Sequence, residues 1–206
     1  MTAEAFFSNP LDARAITLQR GGVPLIEALS LTVQPGEAVV LLGRNGVGKT
    51  TLLRALAGIL RPARGEILYG DLPAPEAAAH SCAFLGHENA LKPDETPRQS
   101  LGFWSRLTGS SANVEDALDA MGLRALADRP SRRLSQGQKR RAALARLLVL
   151  ERPVWLLDEP AAPLDADGRQ RLSDIVTAHR ARGGLVIAAT HQALDWPDAR
   201  TRELVR

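Results

Sequence analysis

Cysteine is almost missing from this chain: Cys82 is the one thiol in 206 residues. That excludes an internal disulfide framework and fits a reducing compartment. No apolar run approaches the ~20 residues of a membrane-spanning helix. Met1–Pro10 also lacks the charged stretch and apolar core of a secretory signal. The chain is therefore expected to stay in the cytosol. Aromatic residues are scarce, at 4%, and no aromatic-rich strand pattern accompanies the arginines, which are scattered rather than gathered in a run. The net charge of +3 and the pI near 9.6 thus read as a solvated arginine surface, with a membrane-side or protein partner next, and no nucleic acid is expected. Internal repeats and low-complexity segments are absent too.

What remains is an ordinary globular composition, 45% apolar and 24% charged. The length suits one large domain, or one domain with a small insert. The chain is organised around Gly43-Arg44-Asn45-Gly46-Val47-Gly48-Lys49-Thr50, with Thr51 after it. This is the G-x-x-x-x-G-K-T phosphate-binding loop. A buried-strand run (37–42, EAVVLL) precedes it and a helical pattern (51–59, TLLRALAGI) follows. The glycines let the backbone curl so that successive N–H groups face phosphate oxygens. The helix adds its unpaired first-turn donors and positive dipole end. Lys49 brings a full charge to the β- and γ-phosphates, and the Thr50 hydroxyl is placed to hold Mg²⁺. The loop predicts a nucleoside-triphosphate site.

In chain order, 13–19 and 26–33 alternate like strands around Gly21-Gly22, and Pro35-Gly36 turns the chain into the loop strand. Pro/Gly breaks at 61–65 and 71–75 flank a short strand at 66–69, and 82–85 (CAFL) is another in which Cys82 is a small hydrophobe. From 87 to about 133 the pattern is helical. One helix over 97–107 aligns Leu101, Trp104 and Leu107, with Trp104 expected in the core. A second spans 114–121 behind an Asn113 cap. A helix at 139–150, a strand at 153–157, a helix at 170–179 and a final core strand at 185–190 complete the reading. The expected organisation is an α/β nucleotide-binding core, 1–86 and 152–206, interrupted by a helical subdomain, 87–151.

Two further stretches carry chemistry. Val154–Glu159 (VWLLDE) ends an apolar strand in two carboxylates, and such strand ends face the same crevice as the phosphate loop. Asp158 suits the Mg²⁺ shell, and Glu159 suits a general base that polarises the attacking water. Leu134–Gln138 (LSQGQ) opens a helix, with Ser135 and Gln138 forming an S-x-x-Q capping box. The box leaves Gly137 unexplained, since glycine there costs about 1 kcal/mol against alanine. Bare backbone, a capping hydroxyl and a helix dipole together read as a second anion site.

LSQGQ, the phosphate loop, the Asp158-Glu159 strand and His191 after LVIAAT, in this order, resemble the ATP-binding cassette (ABC) family over nearly the whole chain. The resemblance implies a P-loop NTPase cassette with an antiparallel β edge and a small helical subdomain. It implies ATP and Mg²⁺ as ligands and a head-to-tail homodimer, in which Ser135 and Gly137 contact the partner's γ-phosphate. By the same resemblance His191 is the switch residue at the γ-phosphate, and Asp165, in Ala162–Asp165, belongs to the loop that communicates across the dimer. Two positions depart from the family pattern. Arg20 stands where an aromatic usually stacks on adenine, and a guanidinium on a base is worth roughly 0.5–1 kcal/mol. Gly86-His87 stands where a Mg²⁺-ligating glutamine is usual, and imidazole is a poor ligand for that ion.

The stretch 84–92 (FLGHENALK), together with Thr190-His191-Gln192, resembles the ATP-binding subunits of the cytochrome c maturation system, also called haem exporter ATPases. This implies a peripheral subunit on the cytoplasmic face of the inner membrane, bound to integral membrane subunits and driving haem delivery or release of a haem-loaded chaperone. An ABC ATPase for another substrate, and a soluble non-transport ABC ATPase, stay open. No C-x-x-C-H occurs, and His80 and His87 read as surface or loop residues.

Overall fold

The computed structural model describes residues 9–192 and 194–205. They fall into two compact units. One comprises the chain up to Gly86, Arg152–Glu159 and Thr177 onward; the other comprises His87–Glu151 and Pro160–Val176. Residues 160–176 thus group with the helical segment, where the sequence reading kept 152–206 whole.

The first unit holds two sheets. Strands β1 (Leu11–Arg20) and β2 (Val23–Val33) pair antiparallel across Gly21-Gly22, both at positive φ as such a tight turn requires. With β4 (Arg64–Tyr69) and β5 (Leu72–Pro73) they form a sheet of order β2-β1-β4-β5. The second sheet is parallel, of order β6-β7-β8-β3-β9. Its strands are β3 (Ala38–Leu42), β6 (Cys82–Leu85), β7 (Val154–Asp158), β8 (Leu185–Ala189) and β9 (Arg200–Glu203). The central strands β7 and β8 are buried at every position, which is why they read as unbroken apolar runs rather than alternating ones. Helix α1 (Lys49–Leu56) packs on β7, β8 and β1, with Leu52, Leu53 and Leu56 fully buried.

Two elements of this unit differ from expectation. Residues 71–75 are no mere break: β5 leads into helix α2 (Ala74–Ser81), with Pro75 in its first turn, where a missing N–H costs nothing. The final core strand forms as expected in β8, but an exposed strand that the sequence reading lacked, β9, follows and pairs with β3. Cys82 is half-buried, and desolvation pushes its thiol up to about 12, so it stays protonated and inert. Beneath β7, the rings of Trp155 and His179 stack with centroids 3.8 Å apart, and His179 Nε2 donates to the Pro153 carbonyl at 3.0 Å.

The second unit packs α3 (Pro97–Thr108), α4 (Val114–Ala120) and α5 (Gln136–Leu150) against one another, around Leu101, Leu118, Met121 and Leu144. It also takes in the start of α6 (Ala166–Ala181). Thr96 and Gln99 close a capping box at the head of α3, and Asn113 Oδ1 accepts from Glu115 N at 2.9 Å to cap α4. Leu101 is buried as expected, but Leu107 is 62% exposed. Trp104 is half-buried rather than core, with the Arg146 guanidinium 5.3 Å above its ring.

Candidate active site

Strand β3 ends at Leu42, and the chain enters the glycine loop at once. Gly43, Gly46 and Gly48 all have positive φ. At Gly43 a side chain is doubly excluded, because an added Cβ would sit 2.7 Å from the Leu204 carbonyl oxygen. At Gly46 nothing lies within 4 Å of that position, so the loop backbone is open to an approaching anion. No side chain caps the N-terminus of α1 and no acidic residue lies in its first turn, so donors and dipole address that space without competition. Lys49 is 7% exposed and folds under the loop, its Nζ donating to Gly43 O at 2.5 Å and Arg44 O at 3.3 Å. Gly43 to Val47 also line a cleft of about 480 Å³ with Glu203, Leu204 and Val205.

One residue further on, Thr50 Oγ1 donates to Asp158 Oδ2 at 2.8 Å. A hydroxyl and a carboxylate, both hard oxygen donors and the second 3% exposed, suit a small divalent cation. Glu159 follows Asp158 at φ 47, in the left-handed region that costs a non-glycine residue about 1–3 kcal/mol. Its N–H donates to Ala189 O at 2.8 Å, which ties this turn to the end of β8. Its carboxylate is held on both oxygens. His191 Nδ1 lies 3.0 Å from Oε1, and Thr190 Oγ1 donates to Oε2 at 3.1 Å. The strand ends thus bring together Lys49, Thr50 and Asp158, and separately Glu159 and His191. Thr190 belongs to the second set, and its contact with Glu159 has no signal in the sequence, because the two positions lie 31 residues apart. Arg20 lies exposed at the tip of the β1–β2 hairpin, and His87 lies exposed just after β6.

In the second unit the Ser135 box is closed. Gln138 N donates to Ser135 Oγ at 3.2 Å, and Gln138 Oε1 accepts from Ser135 N at 2.9 Å. Gly137 has a reason the sequence did not show: a Cβ there would come within 2.9 Å of the Pro163 carbonyl oxygen. Asp165 Oδ1 accepts from Gly168 N at 2.8 Å, a cap at the head of α6. Buried Arg140 on α5 donates through Nε to Pro160 O at 3.3 Å and through Nη1 to Asn89 Oδ1 at 3.2 Å.

A parallel sheet with a glycine loop at one strand end and paired carboxylates at another defines a P-loop nucleotide hydrolase. The chain belongs to the ABC transporter family, which matches residues 26–162, and is an ATP-binding ABC-type ATPase. Among its relatives, the cytochrome c biogenesis ATP-binding export protein CcmA of Maricaulis maris (strain MCS10) is 50% identical over 195 residues, covering 94% of this chain and 91% of that protein. The protein of the same name from Hyphomonas neptunium (strain ATCC 15444) is 48% identical over 187 residues, 91% of this chain and 92% of its own. In structure, an ABC transporter ATP-binding protein from Pyrococcus furiosus superposes with a TM-score of 0.83 at 26% identity, over 95% of this chain and 97% of that one. Among the described residues no helix is long and apolar enough to cross a membrane.

Proposed function

We propose that this chain is the ATP-hydrolysing subunit of a membrane complex of cytochrome c maturation, and that its hydrolysis drives haem delivery or the release of a haem-loaded chaperone. The observation that carries the enzymatic part is the doubly held Glu159 carboxylate beside His191, in the same unit as Lys49 and Thr50. The haem part rests on relatives near 50% identity that bear the cytochrome c biogenesis name.

In this reading Gly43 to Thr51 wrap the triphosphate through backbone N–H groups, and Lys49 exchanges its loop carbonyls for phosphate oxygens. Thr50 and Asp158 hold Mg²⁺, which supplies charge neutralisation to the phosphate oxygens when bound. Glu159 takes the proton of the attacking water, and His191 helps to place that water at the γ-phosphate. Arg20 supplies a cationic stacking face for adenine. Ser135, Gly137 and Gln138 present a helix N-terminus to the nucleotide of a second copy packed head to tail, and Asp165 sits in the loop that senses that copy. The complex places the chain peripherally on the cytoplasmic face of the inner membrane, against integral membrane subunits.

A strain carrying Glu159→Gln tests the proposal. ATP binding is retained, turnover falls by about 10²–10⁴-fold, and the membrane complex still assembles. Haem staining then finds haem accumulating on the periplasmic chaperone while mature c-type cytochromes decline. Normal c-type cytochromes in a strain whose protein is present and hydrolytically dead overturn the haem reading and leave the family assignment standing.

A further inference from the structure

Thr190 is 3% exposed and stands immediately after β8. Its backbone is fixed by the bond from its N–H to Leu41 O at 3.1 Å. Its hydroxyl accepts from Gln192 N at 3.1 Å and lies 3.1 Å from Glu159 Oε2. A hydroxyl has one proton to give. With Gln192 N–H on one lone pair, the geometry leaves that proton directed at the carboxylate. His191 meets the other oxygen, Oε1, and is 49% exposed, so the two edges of the carboxylate differ. The inner edge is gripped by a buried group whose backbone is tied to β3; the outer edge faces a solvent-accessible ring.

We propose that Thr190 is a positioning residue for hydrolysis: it pins the inner oxygen of Glu159, so that the outer oxygen is the one presented to water beside His191. The inference rests on reading Glu159 as the general base. A carboxylate in a left-handed turn, free to rotate, would lose that alignment, and misplacement of about 1 Å is enough to cost up to 10²-fold in rate. Thr190 touches neither phosphate nor water in this scheme, so its loss should leave nucleotide affinity alone.

The test compares Thr190→Val, Thr190→Ser and Glu159→Gln, with the double variant Thr190→Val/Glu159→Gln, in the full chain within its detergent-solubilised membrane complex. Thr190→Val should lower kcat about tenfold with KM and fluorescent-ATP affinity unchanged within about twofold. Thr190→Ser, which keeps the hydroxyl, should restore most of the rate. The double variant should be no slower than Glu159→Gln alone, because a positioning residue has no effect once its target is gone. Should Thr190→Val not accumulate as folded protein, Thr190→Ala removes the hydroxyl without added bulk and carries the same arms. Wild-type kcat in the hydroxyl-less variant, beside a slow Glu159→Gln, overturns the role of Thr190 alone. A Thr190→Ser as slow as Thr190→Val, or a double variant slower again than Glu159→Gln, likewise overturns it. Wild-type turnover in Glu159→Gln overturns the general-base reading itself.

Discussion

Acidification should destabilise the first unit through one side chain, His179. It is 8% exposed, stacked on Trp155, and its ring fills the place where a Cβ on Gly184 would stand. Desolvation, the largest cause, lowers its pKa from 6.5 to about 4, against the bond to Pro153 that pulls the other way. The unfolded chain therefore takes up a proton at His179 below about pH 6.5, and the folded chain only below about pH 4. Between these values the unfolded state binds more protons, so this stability is present above pH 6.5 and is lost as pH falls toward 4. At 1.36 kcal/mol per unit the whole window is worth about 3 kcal/mol, of which about 2 kcal/mol disappears between pH 7 and pH 5. Urea unfolding followed by far-UV circular dichroism at both pH values measures the loss. His179→Gln keeps an N–H donor but does not titrate, and it removes the contribution of other groups by difference. Wild type should lose about 2 kcal/mol more than the variant. Equal losses in the two proteins would refute the reasoning, because they would mean the imidazole is as well solvated folded as unfolded.

Lys49→Ala should abolish turnover and weaken fluorescent-ATP binding by at least tenfold, the scale of one charged hydrogen bond at about 1.5–3 kcal/mol; near-normal affinity and turnover would remove the loop from the site. Ser135→Arg should leave ATP binding to the single chain intact and stop hydrolysis. Mixed with Lys49→Ala chains it should recover one working composite site, and loss of binding in the monomer would show instead that Ser135 acts on its own nucleotide. Gly137→Ala adds a methyl 2.9 Å from Pro163 O. It should lower the melting temperature of the second unit by several degrees, equivalent to about 1–3 kcal/mol of overpacking; an unchanged melt would show that this loop yields freely.

The features legible in the sequence were those set by local rules. The glycine loop needs a strand before it and a helix after it, and β3 and α1 supply both. Ser135 with Gln138 and Asn113 with Glu115 are caps whose donors and acceptors lie within three residues of each other, and each forms as spaced. What escaped reading has physical reasons. Helix α2 is built on alanines, which mark no apolar face, and prolines at 73 and 75 suggested a break although the first turn tolerates them. Leu101, Trp104 and Leu107 looked aligned, but steps of three residues drift, and six residues turn a helix about 120° out of register. Leu107 therefore faces solvent. The grip of Thr190 on Glu159 joins positions 31 residues apart, and no local pattern encodes it.

Strand β9 has the sequence Arg-Thr-Arg-Glu, exposed at every position, and it closes one side of the parallel sheet against β3. Its neighbour β3 is Ala-Val-Val-Leu-Leu, buried at four of five positions. Without β9 that apolar strand would be the border of the sheet, offering unpaired N–H and C=O groups along a flat greasy rim, the kind of edge that recruits another chain by strand addition. Arg200 secures the cover by donating to Thr32 O and Glu37 Oε2, each at 2.7 Å. Four exposed polar residues thus act as a guard against self-association. Shortened versions of this protein that stop before Arg200 would be expected to collect as insoluble aggregates rather than as soluble, inactive enzyme.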